Sequence, residues 1–201
     1  MRYQLLIFDL GGVLVRVQPS RFVQALVDET GQPPERVRQR LDDPALFHAF
    51  ERGELTASEF FERLCALCGI RWSYDAFVRA WNSVVDEDPD AFDVLERLRA
   101  RYQLLVLTNT NILHDEHVRQ RWPAFGRVHH WVASYQVGCR KPEPKIFQLA
   151  LQQAGVPANA TLYIDDLEEH IAAATQLGIT GVHWTPGLRL EPELRARGVE
   201  L

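Results

Sequence analysis

Three apolar runs in this chain of 201 residues each end in polar side chains. Leu5-Leu6-Ile7-Phe8 leads into Asp9 and a Gly11-Gly12 turn, Leu104-Leu105-Val106-Leu107 into Thr108-Asn109-Thr110, and Leu162-Tyr163-Ile164 into Asp165-Asp166. In an open parallel sheet, ligands collect where strands end in loops, so groups delivered to such tips are placed for chemistry rather than packing. Asp9 is a carboxylate able to attack phosphorus and form an aspartyl phosphate that water then clears. Thr108 and Asn109 offer a hydroxyl, an amide and loop N–H groups to the transferring oxygens. Lys141 precedes Pro142, which biases it toward extended geometry and keeps it out of the following helix, free to point inward.

Convergence of Asp9, Asp165 and Asp166 demands positive charge, because each carboxylate pair repels by roughly 4 kcal/mol at about 4 Å and an effective dielectric of about 20. Lys141 and a divalent cation are the candidates. Oxygen-only ligation with few protein groups suits magnesium, which keeps water and takes the rest of its shell from a substrate phosphate. Three carboxylates, one lysine and one dication sum to zero, so a phosphate dianion enters without net repulsion. In this arrangement Asp166 ligates the metal directly and Asp165 supports it through water. Taken singly, each group has an ordinary reading: Asp9 as a turn acid, Thr108-Asn109 as a turn, Lys141 as a solvated lysine, Asp165 and Asp166 as helix-start acids. Their occurrence together in chain order favours a site.

The elements that must position them read as strands at 4–8, 103–107, 161–164 and 181–184, with a weaker one at 128–132. Between them lie helical patterns at Phe92-Leu95-Leu98, from Pro144 to the stop at Gly155, and from Leu167 to Leu177 before Gly178. Alternating strand and helix predicts an α/β fold, a parallel sheet with helices on both faces. Residues 18–88 break the alternation, with helices expected at 21–30, 34–41, 56–67 and 74–84 and no convincing strand. A core of residues 1–17 and 89–201 is therefore expected, with a helical cap of residues 18–88 inserted after the first strand and able to act as a lid. The segment beyond Pro186 is a polar, Leu-punctuated tail without an assignment.

The runs Phe8-Asp9-Leu10-Gly11-Gly12-Val13, Leu107-Thr108-Asn109-Thr110, Arg140-Lys141-Pro142 and Ile164-Asp165-Asp166 resemble the four motifs of the haloacid dehalogenase-like phosphohydrolase superfamily. The resemblance spans nearly the whole chain. Phe50-Glu51-Arg52-Gly53-Glu54 and Leu107-Thr108-Asn109-Thr110-Asn111 are similar to a bacterial subgroup with a helical cap that includes a phosphatase of α-glucose 1-phosphate. The resemblance implies a Rossmann-like core, magnesium and an aspartyl-phosphate intermediate. It also implies a second aspartate two residues after the nucleophile, where this chain has Gly11. That acid protonates the leaving alcohol and later activates water, a contribution of about 10²–10⁴ in rate. Its backbone carbonyl also binds the metal, and Gly11 retains one. Among cap residues, His48, Glu51 and Arg52 are the candidates for substrate contacts or for replacing the acid, against a solvated helix face for any one of them.

The remaining features narrow the field. A net charge of -5 and a pI near 5.8 argue against nucleic acid or an anionic membrane as partner. No long apolar segment suggests export or a membrane span, so a cytoplasmic protein acting on a small phosphorylated metabolite is expected. Cys65 and Cys68 fall in a helix opened by a Thr56/Glu59 capping box and lack two further zinc ligands. His114 and His117 are three apart without an acidic partner, and the His129-His130 doublet lies in a strand pattern, its rings on opposite faces. The five tryptophans read as packing, one of them a possible pocket wall. Three functions remain: a magnesium-dependent phosphatase of a small phosphomonoester such as a sugar phosphate, a metal-independent 2-haloacid dehalogenase, or a phosphate-binding regulatory module with little turnover.

Overall fold

The computed structural model describes residues 2–185 and 189–201. Five parallel strands form one sheet: β1 (Leu5–Phe8), β4 (Gln103–Thr108), β5 (His130–Ala133), β6 (Thr161–Asp165) and β7 (Thr180–His183), in the order β5-β4-β1-β6-β7. The central strand β1 is buried along its whole length, as a continuous apolar run must be when helices cover both faces. Successive strand residues point to opposite faces. Leu6, Phe8, Leu104, Val106, Leu162 and Ile164 accordingly join one core with the helix α6 (Pro89–Leu98), and Leu5, Ile7, Leu105, Leu107 and Tyr163 join another with α9 (Pro144–Ala154). The expected α/β architecture is present. The tail is a helix, α11 (Leu190–Ala196), whose Leu190 and Leu194 enter the first core; residues 186–188, where it begins, lie outside the described residues.

Helices α1 (Ser20–Thr30), α2 (Pro34–Leu41), α3 (Pro44–Glu51), α4 (Ala57–Cys68) and α5 (Tyr74–Asn82) enclose a third core of Phe22, Leu26, Phe60, Leu64, Phe77 and Trp81. Thr56 and Glu59 cap α4 reciprocally, and Gly69 ends it in the left-handed conformation. Two elements depart from the sequence expectation. A ribbon of β2 (Val15–Val17) and β3 (Val85–Glu87) brackets these helices, so residues 18–88 do contain a strand; three residues reading Val-Asp-Glu carry no periodic signal, and the antiparallel partner supplies what the segment lacks. Arg21 reinforces the ribbon through Asp86 at 2.7 Å. Helix α3 is the second, opened by Asp43, whose side chain accepts from the Leu46 N–H, and Pro44. Its eight residues are too short for periodicity to reveal. Among the described residues no helix is long and apolar enough to cross a membrane.

Candidate active site

Strands β1, β4 and β6 end side by side, and their tips carry the predicted groups. Asp9 follows β1; its N–H donates to the Ile164 carbonyl, and its Oδ1 accepts the Leu10 N–H at 2.6 Å. Lys141, fully buried, places its Nζ 2.8 Å from Asp9 Oδ1 and 2.7 Å from Asp165 Oδ2. Burial alone would favour the neutral amine, but the two carboxylates outweigh it and raise the Lys141 pKa. Burial pushes the Asp9 carboxyl up to about 7, against the pull of Lys141 and with added repulsion from Asp165. Asp165 is also driven up by burial, yet His170 and Lys141 outweigh that and hold it below the usual carboxylate range. The cluster carries more negative charge than one ammonium balances.

Asn109 has a narrower task than its type suggested. Its Nδ2 donates to the Lys141 carbonyl at 2.9 Å and its Oδ1 accepts the Lys141 N–H at 2.8 Å, so both arms of the amide fasten the lysine loop to the tip of β4. Thr108 is buried beside it, and Ser134 Oγ bridges the Thr110 N–H and carbonyl. Asp165 is held by the Lys141 ammonium, the Tyr163 hydroxyl, the Leu167 N–H and the His170 ring. The sequence shows Tyr163 only as part of an apolar run and gives no sign of His170, although Tyr163 sits two residues before Asp165 and so on its face of β6.

Groups able to ligate a metal gather at these tips. Asp9, Asp165 and His170 each bring a ligand atom to within 4.8 Å of the others. His170 Nδ1 lies 2.9 Å from Asp165 Oδ1, however, which makes the ring a brace for the carboxylate. Asp166, half-buried, forms no ion pair with a described side chain and keeps its oxygens available. Gly12 makes that possible: at φ 76°, a Cβ there would stand 2.4 Å from Asp166 Oδ2. Asp9, Asp166 and the Gly11 carbonyl, candidates from the sequence, are oxygen donors, the kind a hard cation prefers.

The cap residues divide. Glu51 Oε2 accepts from Arg140 Nε at 2.9 Å and Arg52 pairs with Glu143 at 2.6 Å, clasping the helical unit to the segment that carries Lys141. Gly53, at φ 70°, closes the clasp, since a Cβ would fall 2.3 Å from the Tyr135 carbonyl oxygen. His48 is half-buried on α3 and joins neither pair. Between the helical unit and the tip of β4 lies a cavity of about 700 Å³, whose walls include Phe22, Phe47, Trp81, Glu51, Asn109 and His114. Among the tryptophans, then, Trp81 is the pocket wall. His114 stacks flat on it at 5.0 Å, and burial lowers its pKa to about 4, so the ring is neutral near pH 7. The other candidates serve the scaffold: Cys65 and Cys68 are free thiols whose pKa values burial raises, and β5 begins only at His130, with His129 Nδ1 accepting the Leu104 N–H.

Residues 3–178 match the family of haloacid dehalogenase-like hydrolases. The chain is 28% identical to a D-ribitol-5-phosphate phosphatase from Bacteroides thetaiotaomicron, over 86% of this chain and 87% of that protein. It is 26% identical to a sesquiterpene phosphatase from Aspergillus oryzae, over 94% and 93%. A crystal structure of a haloacid dehalogenase family enzyme from B. thetaiotaomicron, in complex with magnesium and inorganic phosphate, superposes with a TM-score of 0.87 at 26% identity, covering 94% of this chain and 98% of that one. By motif order, fold and extent of match, the chain belongs to the haloacid dehalogenase-like hydrolases.

Proposed function

We propose that the protein is a magnesium-dependent phosphatase of a small phosphomonoester, working through an aspartyl phosphate on Asp9. The observation that carries this reading is the buried Asp9–Lys141–Asp165 chain, with contacts of 2.8 and 2.7 Å, beside the available carboxylate of Asp166. Asp9 Oδ1 is held by Leu10 and Lys141, which aims Oδ2 at phosphorus. Attack forms the Asp9 Oδ2–phosphorus bond and breaks the bond to the ester oxygen; water then attacks phosphorus, releasing phosphate and restoring the carboxylate. Lys141 offsets charge on the transferring oxygens, and Asn109 keeps it there. Asp9, Asp166 and the Gly11 carbonyl would hold magnesium, which would neutralise charge on the phosphoryl oxygens. Thr108 and the Asn109 N–H complete the phosphate cradle.

The phosphatase reading gives Asp166 a task that a metal-free dehalogenase would not, and the similar phosphatases and the magnesium and phosphate in a homologous crystal structure support it. We assign the protein to the cytoplasm on the strength of three free cysteines, and assign it neither nucleic acid nor membrane as partner. The test is hydrolysis of p-nitrophenyl phosphate, whose leaving group needs little protonation. Turnover is expected with magnesium and none with chelator; equal rates in both would overturn the metal requirement, and no turnover in either would overturn the reading.

Gly11 leaves the departing alkoxide to be protonated by solvent. Position 11 has an ordinary φ, and an added Cβ would meet only Val17 Cγ2, at 3.3 Å, so an aspartate is accommodated with a small shift. Gly11→Asp is therefore expected to raise kcat on alkyl phosphates by about 10²-fold or more, and on p-nitrophenyl phosphate by far less. A variant that gains on no substrate would point instead to a phosphate-binding module.

A further inference from the structure

The cavity beside the site is apolar where a sugar-phosphate site would be polar. Phe22, Phe47, Phe50, Trp81, Val23 and Leu41 line it, and apolar atoms make up most of its surface. Apart from the Thr110 hydroxyl, the polar side chains deep in it are already engaged. Asn111 Oδ1 accepts from the His114 N–H at 3.1 Å and from Trp81 Nε1 at 3.4 Å, while its Nδ2 faces His114 Nδ1 at 3.3 Å. His114 Nε2 meets the Trp81 carbonyl at 3.1 Å, so both ring nitrogens have partners and the ring presents its flat face. Glu51 is paired with Arg140, and both arms of Asn109 hold Lys141. Arg38, Gln39 and Asp42 are exposed, which places them at the mouth. A polyol entering this space would lose water and regain few hydrogen bonds, at a cost for each hydroxyl left unpaired.

Size points the same way. At about 700 Å³ the cavity lies in the range of pockets for ligands much larger than a five- or six-carbon sugar. Its wall also includes Asn109, whose amide binds the backbone of Lys141, whose ammonium in turn touches Asp9. A phosphate at the strand tips would direct its esterified group into the aromatic chamber.

Resting on the phosphatase reading above, we infer that the substrate is the phosphate monoester of a bulky apolar alcohol, a branched hydrocarbon, rather than of a sugar or polyol. The leaving group sits against Phe47, Trp81 and the flat face of His114, and α1 contributes Val23 to the same wall.

Citronellyl phosphate and ribitol 5-phosphate are both esters of primary alcohols, so comparing them with magnesium present isolates the pocket from leaving-group chemistry. The expected result is a kcat/KM for citronellyl phosphate about 10²-fold or more above that for ribitol 5-phosphate, mostly through KM. Val23→Asp should lower that ratio at least about tenfold, and the isosteric Val23→Thr, which keeps the volume and adds one hydroxyl, by a smaller factor of about three. Equal or better turnover of ribitol 5-phosphate, or a ratio unchanged in both variants, overturns the inference while leaving a magnesium-dependent phosphatase in place. If neither ester nor p-nitrophenyl phosphate is hydrolysed, the phosphatase reading itself falls.

Discussion

Asp9→Asn should abolish phosphate-ester turnover, lowering kcat by at least about 10⁴-fold, while the protein stays folded. An amide of the same shape keeps the Leu10 contact through its oxygen but has no anionic oxygen to attack phosphorus. Stability gives a second, independent readout. The folded-state pKa of Asp9, near 7, lies above the value of 3.8 expected for an unfolded chain. Its contribution to stability is therefore full below pH 3.8 and is lost as pH rises through 7, because the unfolded chain releases the proton first. In chelator, the wild-type protein should lose stability over that window, and Asp9→Asn should show a flatter profile with a melting temperature at pH 7 equal to or above wild type. Activity near the wild-type level would remove Asp9 as nucleophile. A steep pH profile in the variant would show that another group carries the titration.

Lys141→Met should damage both the fold and the reaction. The thioether keeps much of the volume of the stem, so packing changes little; what disappears is the charge between Asp9 and Asp165. Removing one partner of a buried ionic cluster costs about 3–5 kcal/mol, since the remaining charges lack compensation. Urea denaturation in chelator should show a loss of that order. Magnesium should restore part of it, because a dication near Asp9 and Asp166 replaces some of the missing positive charge. With the ammonium gone from the transferring oxygens, kcat should also fall by about 10²–10³-fold. A stability within about 1 kcal/mol of wild type would show that Lys141 does not balance the carboxylates.

Both results turn on a cluster that was partly legible in the chain. Asp9, Thr108, Lys141 and Asp165 announce themselves because each follows a signal confined to neighbouring residues, an apolar run that stops or a proline that holds its predecessor out of a helix. The same local rules mark the parallel sheet and the caps at Thr56 and Gly155. Short elements fall below this threshold: β3 and α3 have too few residues for a period to show, and partners elsewhere in the chain stabilise them.

From sequence alone came the α/β architecture, the order of the motifs and the residue types gathered at the strand tips, since hydrophobic period and turn chemistry are written into consecutive residues. Tertiary structure decided the rest. It turned Asn109 toward the Lys141 backbone, braced Asp165 with His170, and set Glu51 against Arg140 across 89 positions of chain. It also lined the neighbouring chamber with aromatic rings and tied up its amide and imidazole groups with one another. A side chain's hydrogen-bond partner and its exposure depend on which distant segments fold against it, and no run of adjacent residues contains that information.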